Sequence, residues 1–202
     1  VTLIAGVDEV GVGPLAGPVV AAAVVFKKGY KNRDIRDSKK LSPKIREQLT
    51  EVIKNDCVYW SIVAVGSRRI DSINIRQARK LAMSYALLRV KAESALIDGN
   101  MLIDTQIPQT TVIGGDDKHV EIAAASVIAK VWRDELMRQF DLKYQGYGFA
   151  NNMGYPTREH QQAIARLGPT VIHRQTFKGV REYVPARGEK TEILLVSHSK
   201  PV

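Results

Sequence analysis

Cysteine is nearly missing. Cys57 is the only one in 202 residues, which excludes an internal disulfide framework and a cysteine-built zinc site and points to a reducing compartment. No stretch approaches the roughly 20 apolar residues that a membrane helix needs, so the mostly apolar run 122–129 reads as a buried helix face. His119, His160, His173 and His198 fall at no metal-ligand spacing and read as surface or core residues. There is no Walker-type phosphate loop, no internal repeat and no low-complexity segment. No basic and apolar leader opens the chain, which points to the cytoplasm. Ser126 lacks the strand-to-helix turn of a nucleophile elbow, and a serine hydrolase is set aside.

What is present is an ordinary globular composition, 45% hydrophobic and 25% charged, with a formal net charge of +9 and a pI near 9.7. The length suits one main domain. The basic balance favours an anionic partner, nucleic acid being the commonest for such a domain.

Residues 3–8 and 19–26 read as strands, the second buried on both faces. The gap of about ten residues is too short for a crossover helix, so they pair antiparallel. Residues 27–40 form a basic, solvent-facing loop. Ser42 and Pro43 then open a helix with Ile45, Leu49, Val52 and Ile53 on one face. A strand over 57–65 completes a meander, and a helix follows over 75–90. The short strand 95–97 comes after that helix, so it can run parallel to the first and end at the same sheet edge. Another strand spans 110–113, a long helix runs over 121–142, and Thr157 caps a helix reaching 167.

Chemistry gathers where strands stop. Neighbouring side chains on a strand point to opposite faces, so Asp8 and Glu9 share a site only if the strand ends there, as Gly11, Gly13 and Pro14 indicate. Asp98 closes a second strand, and Asp116 or Asp117 precedes the long helix. Hard divalent cations such as Mg²⁺ take carboxylate and phosphate oxygens. Several acids at one edge of a basic protein therefore fit a metal site facing a nucleic-acid backbone, where two ions can activate water and stabilise the leaving oxygen. The alternative is that the Asp-Gly clusters are plain turns. Gly11-Val12-Gly13 is no dinucleotide loop, because it leads into a strand instead of a helix. It does allow backbone amides to approach a phosphate or sugar. Tyr155, between Gly154 and Pro156, offers a ring for stacking or a hydroxyl.

Five motifs in order, Gly6-Val7-Asp8-Glu9-Val10-Gly11, Asp37-Ser38-Lys39-Lys40-Leu41, Leu96-Ile97-Asp98-Gly99-Asn100, Ile122-Ala123-Ala124-Ala125-Ser126 with Ala129-Lys130-Val131, and Gly154-Tyr155-Pro156-Thr157, make the chain resemble the ribonuclease HII family, the bacterial type 2 ribonucleases H, over roughly residues 3 to 178. The resemblance implies an α/β fold with a ribonuclease H-like mixed five-stranded sheet flanked by helices. It divides the chain into a catalytic domain, 1–145, and a C-terminal helical extension and tail, 146–202, packed on it. It implies a monomeric endoribonuclease using Mg²⁺ or Mn²⁺, which cuts the RNA strand of RNA/DNA hybrids and incises duplex DNA at single embedded ribonucleotides. The ends left would be 5′-phosphate and 3′-hydroxyl. By position the metal-holding catalytic acids are Asp8, Glu9, Asp98 and Asp116, with Asp117 a bystander. Gly11, Val12, Gly13, Lys39 and Tyr155 form the substrate-binding set, the turn and Tyr155 reading the ribose 2′-hydroxyl. Val12, Gly114, Asn152 and Met153 stand where the family carries arginine, lysine, histidine and lysine. Those losses motivate the alternative of a nucleic-acid-binding protein of the same fold with weakened catalysis. A junction resolvase would leave the glycine turn and Tyr155 without a role.

Overall fold

Strand β1 (Ile4–Val10) is the centre of a five-stranded sheet of order β3-β2-β1-β4-β5. The computed structural model describes residues 2–36 and 42–184. Lys39 and residues 185–202 of the expected tail lie outside the described residues.

β2 (Val19–Val25) and β3 (Tyr59–Val65) complete the expected antiparallel meander, with Val7 opposite Ala23 and Ala23 opposite Ser61. On the other side of β1, β4 (Ser94–Asp98) runs parallel to it and β5 (Gln109–Val112) parallel to β4. Seven helices occur among the described residues: α1 (Arg33–Arg36), α2 (Pro43–Asp56), α3 (Ser67–Ile73), α4 (Ile75–Leu88), α5 (Val120–Lys143), α6 (Phe149–Asn152) and α7 (Arg158–Leu167). None is long and apolar enough to cross a membrane.

Every residue of β2 is buried, because helices cover both faces. On one face Ala78, Ala82, Met83, Ala86 and Leu87 of α4 pack with Ala5, Val7, Ala21 and Ala23. On the other, Ala123, Ala124, Ala125, Val127 and Ile128 of α5 pack with Val20, Ala22 and Val24. Small side chains let these layers approach closely. At Gly6 an added Cβ would lie 2.1 Å from the Glu121 carbonyl carbon, so the start of α5 rests directly on β1. A third cluster joins Leu15, Ala16 and Met137 to Tyr147, Phe149, Ala163, Ile164 and Val180.

Three expectations change. Leu49 and Ile53 of α2 are buried, but Ile45 and Val52 are 46% and 41% exposed, so only half of that apolar stripe meets the core. Helix α3 and the short α6 were not legible as helices. Asn74, at φ +66°, breaks α3 from α4 and caps α4 by accepting the Gln77 N–H at 3.1 Å. A positive φ at a non-glycine residue is held here by that side-chain hydrogen bond and leaves no glycine or proline as a marker. Finally, β1 does not end at Asp8 but continues to Val10.

Candidate active site

The continuation of β1 is one-sided. Toward β2, Asp8 pairs with Ala22 and Glu9 with Ala21, whereas pairing with β4 stops at Val7 and Ile97. The edge facing β4 is therefore released while the β2 edge is still bonded. Asp8 and Glu9 keep the alternation of a strand. Asp8 turns toward α5 and hydrogen-bonds the Ser126 side chain, with its Oδ1 accepting the Glu9 N–H at 2.7 Å. Glu9 turns toward α4, where Arg79 Nε lies 2.7 Å from its Oε1. That contact is an ion pair without an aligned hydrogen bond, and Glu9 Oε2 is buried with no hydrogen-bond partner among the described residues.

Asp98 ends β4, and its Oδ1 accepts the Gly115 N–H at 2.8 Å. That bond holds the 3₁₀ turn Gly115–Asp117 beside the strand end, with Asp116 half-buried and Asp117 exposed. The electrostatics record the crowding. Burial pushes the Asp8 carboxyl up to about 8, with the charges of Glu9 and Asp98 adding to it and the Ser126 hydrogen bond opposing it. Burial likewise raises Glu9, against the pull of Arg79 and with a further push from Asp98. Among the described residues no three Asp, Glu, His or Cys side chains are gathered closely enough to hold a metal ion.

The glycine turn lies next to these acids along the chain. Gly11 adopts φ +86°, and a Cβ there would meet Arg133 Nε at 2.3 Å. Tyr155, 40% exposed, stands over the same turn: a Cβ on Gly13 would be 3.8 Å from its Cε1. The structure thus brings Gly13 and Tyr155 together from positions far apart in the chain. Val12 is half-buried against the α4-side core.

Two arginines and two histidines beneath this turn were missed as site residues. Arg133 and Arg174 are both 0% exposed. His160 and His173, read only as surface or core, are buried with their Nε2 atoms 3.1 Å apart, and His160 Nδ1 meets the Tyr155 carbonyl at 2.8 Å. The carbonyl requires a proton on His160 Nδ1, so His173 donates through Nε2 to His160. His173 Nδ1 then accepts the Thr170 N–H at 2.9 Å. Both rings are neutral in this chain of bonds. Burial lowers His160, and burial with the neighbouring His160 takes His173 down to about 4. A signal for Arg133 did exist, since it falls in line with buried Ala129 and Met137 at helical spacing. Arg174 and His173 sit outside any regular element, where no periodicity marks burial.

The positions that depart from the family pattern have local roles. Asn152 is buried, donating to the Tyr147 carbonyl at 2.7 Å and accepting the Gly154 N–H at 2.8 Å. Gly114 adopts φ +63° at the start of the 3₁₀ turn.

A mixed sheet whose central strand carries paired acids toward the end of a parallel neighbour, with helices on both faces, defines a ribonuclease H-like nuclease. The family model described as Ribonuclease HII matches residues 5–180. Ribonuclease HII of Moorella thermoacetica is 51% identical over 180 residues, covering 88% of this chain and 87% of the relative. That of Syntrophotalea carbinolica is 47% identical over 183 residues, covering 90% and 88%. Among solved structures, ribonuclease H2 from Pyrococcus horikoshii OT3 superposes with a TM-score of 0.79 at 24% identity, covering 90% of this chain and 97% of that one. The PCNA:RNase HII complex from Archaeoglobus fulgidus matches at 0.75 and 26%, covering 93% and 98%. The chain belongs to the ribonuclease HII family and is an endoribonuclease.

Proposed function

We propose that this enzyme hydrolyses the RNA strand of RNA/DNA hybrids and incises duplex DNA beside single embedded ribonucleotides, leaving 5′-phosphate and 3′-hydroxyl ends, as a step in removing ribonucleotides from DNA. The observation that carries the reading is the meeting of two half-sites: Asp8, Glu9 and Asp98 interact at one sheet edge, and the adjoining glycine turn meets Tyr155.

The acidic edge fits divalent cations by its chemistry. Its donors are carboxylate oxygens, Glu9 Oε2 is buried without a partner among the described residues, and burial and mutual repulsion hold Asp8 and Glu9 above the usual carboxylate range. Such a cluster is stabilised by positive charge. As the side chains stand, no three of them among the described residues are close enough to share one ion, so Asp8, Glu9, Asp98 and Asp116 would hold Mg²⁺ or Mn²⁺ by drawing together around it; a Mn²⁺ complex is described for Bst-RNase HIII, 17% identical to this chain with a TM-score of 0.67. Bound there, the cations would supply Lewis-acid polarisation of the phosphate and a water of lowered pKa. Ser126 keeps Asp8 turned toward the site, and Arg79 does the same for Glu9.

Recognition falls to the turn. The N–H groups of Val12 and Gly13 have no hydrogen-bond partner among the described residues, and they are free for a phosphate oxygen or the 2′-hydroxyl, the group that separates ribose from deoxyribose. Tyr155 would pack against the same nucleotide. Residues 146–184 act in this reading as an extension seated on the catalytic domain, bringing Tyr155 to it.

The test is a duplex DNA with one ribonucleotide, an RNA/DNA hybrid and an all-DNA duplex, each with Mg²⁺ or Mn²⁺. Cutting confined to the ribonucleotide-containing substrates and lost in Asp8→Asn is expected. Absence of ribonucleotide-dependent cutting in both metals would sink the reading.

A further inference from the structure

Arg133 and Arg174 are fully buried, and neither forms an ion pair with a described carboxylate. Burying a cation without a counter-charge is costly unless its donors are satisfied. Here backbone carbonyls satisfy them. Arg174 donates through Nε to Gly17 O at 3.1 Å, through Nη1 to Val12 O at 2.8 Å, and through Nη2 to Gly11 O. Arg133 donates through Nε to Pro18 O at 3.0 Å, through Nη2 to Ala16 O at 3.1 Å, and through Nη1 to Met153 O at 2.9 Å. One guanidinium therefore grips the glycine turn, and the other ties its far end to the turn that carries Tyr155.

Peptide geometry turns this grip into a statement about recognition. In a trans peptide the C=O and the next N–H point in opposite directions across one rigid plane. With the carbonyls of Gly11 and Val12 drawn inward to Arg174, the N–H groups of Val12 and Gly13 face outward. These are the two amides that have no partner among the described residues.

We propose that Arg174 and Arg133 are positioning residues for ribose recognition: by holding the inward carbonyls they aim the Val12 and Gly13 amides and fix Tyr155 against the turn. This rests on the reading of that turn and Tyr155 as the ribose-recognition site. The two buried positive charges also favour an anion in front of those amides. Lysine is not equivalent, since a single ammonium has no planar fork to hold two successive carbonyls. The segment carrying Arg174 is itself fastened to α3, where the Asp71 carboxylate accepts the N–H groups of Gln175 and Thr176, each at 2.9 Å.

The test measures the affinity of the full chain, in metal-free buffer so that nothing is cut, for a duplex with one ribonucleotide and for the same all-DNA duplex. The wild type should prefer the ribonucleotide. In Arg174→Lys that preference should fall by about tenfold, the scale of losing a hydrogen bond to a charged donor, with all-DNA affinity and the Tm rise on adding Mg²⁺ retained. A merely structural loss would lower both affinities together. Asp71→Ala, on an exposed contact, provides a second variant in case Arg174→Lys does not fold, and it should weaken the preference in the same direction. Preference unchanged in a folded Arg174→Lys, or in Asp71→Ala if the former is unfolded, overturns the clamp and leaves the recognition reading standing. A wild type without preference overturns both.

Discussion

The acidic edge and the recognition turn lie next to each other on β1 and its following loop, yet they solve opposite electrostatic problems. At the edge, like charges are pressed together, Asp8 is driven up to about 8 and Glu9 Oε2 is buried without a partner among the described residues. Under the turn, every bond of the Tyr155–His160–His173–Thr170 chain is satisfied by neutral rings, and two guanidiniums are covered by carbonyls. The first region is, on the proposed reading, completed by a cation. The second is complete beforehand, and that pre-organisation is what an interaction between fixed backbone amides and a single hydroxyl needs.

The largest effect should come from the incomplete side. On the proposed reading Asp8→Asn takes away a metal-holding carboxylate, so cleavage should fall by more than the roughly 100-fold seen for outer-shell partners of metal sites. Metal-free stability should move the other way. Asp8 has its folded pKa above the unfolded value of 3.8, so its contribution is present at low pH and is lost as pH rises toward 8. At pH 8 the metal-free Asp8→Asn protein should therefore melt above the wild type, and Mg²⁺ should reverse the order. Thermal melts with and without metal check this, and equal Tm values at pH 8 would break the contrast between the two regions.

Ser126→Ala tests the same edge more gently. It deletes the hydrogen bond that favours ionised Asp8, and cleavage should drop about tenfold, within the range for outer-shell partners. Measuring rate against Mg²⁺ concentration should show the loss shrinking as metal is raised.

The complete side carries the opposite pH dependence. His160 and His173 are held neutral with folded pKa values below 6.5, His173 at about 4. The unfolded chain takes up those protons first, so stability is lost as pH falls from 6.5 toward 4. A fall in Tm over that window is expected in the wild type and a shallower one in His173→Asn. Identical slopes would remove the histidine pair from the account.

The smallest effect concerns Val12, whose side chain packs on the core while its carbonyl is held by Arg174. Val12→Arg adds one cation beside the proposed phosphate path. The slope of log affinity against log salt should steepen by about 0.9 if the new guanidinium neutralises one phosphate. An unchanged slope would mean that the turn works through its backbone alone.

Much of this was legible in the residues. Alternation and composition marked all five strands, and the helix recognised between β3 and β4 allowed β4 to run parallel to β1, which brings Asp98 to the edge that holds Asp8 and Glu9. Glycine and proline around Tyr155 marked its turn. The end of β1 was misjudged because Gly11 and Gly13 signal a turn without telling which edge of the strand is released first. Arg133 could have been suspected from its place on a buried stripe. Arg174 could not, because nothing local distinguishes an arginine that snorkels to solvent from one surrounded by carbonyls.

By itself the sequence determined the alternation that puts Asp8 and Glu9 on opposite faces, the order of the five strands and of the longer helices, and a glycine turn without a side chain at Gly11 or Gly13. These are properties of neighbours in the chain. Only the tertiary structure decided that Ser126 and Arg79 would each take one of the two acids, that Tyr155 would stand over Gly13, and that Arg174 would hold the turn's carbonyls from beneath while Arg133 ties the segment after it to the Tyr155 turn. Those contacts span between 70 and more than 160 residues, and they form because a buried polar group must find its partner wherever the packed layers place one.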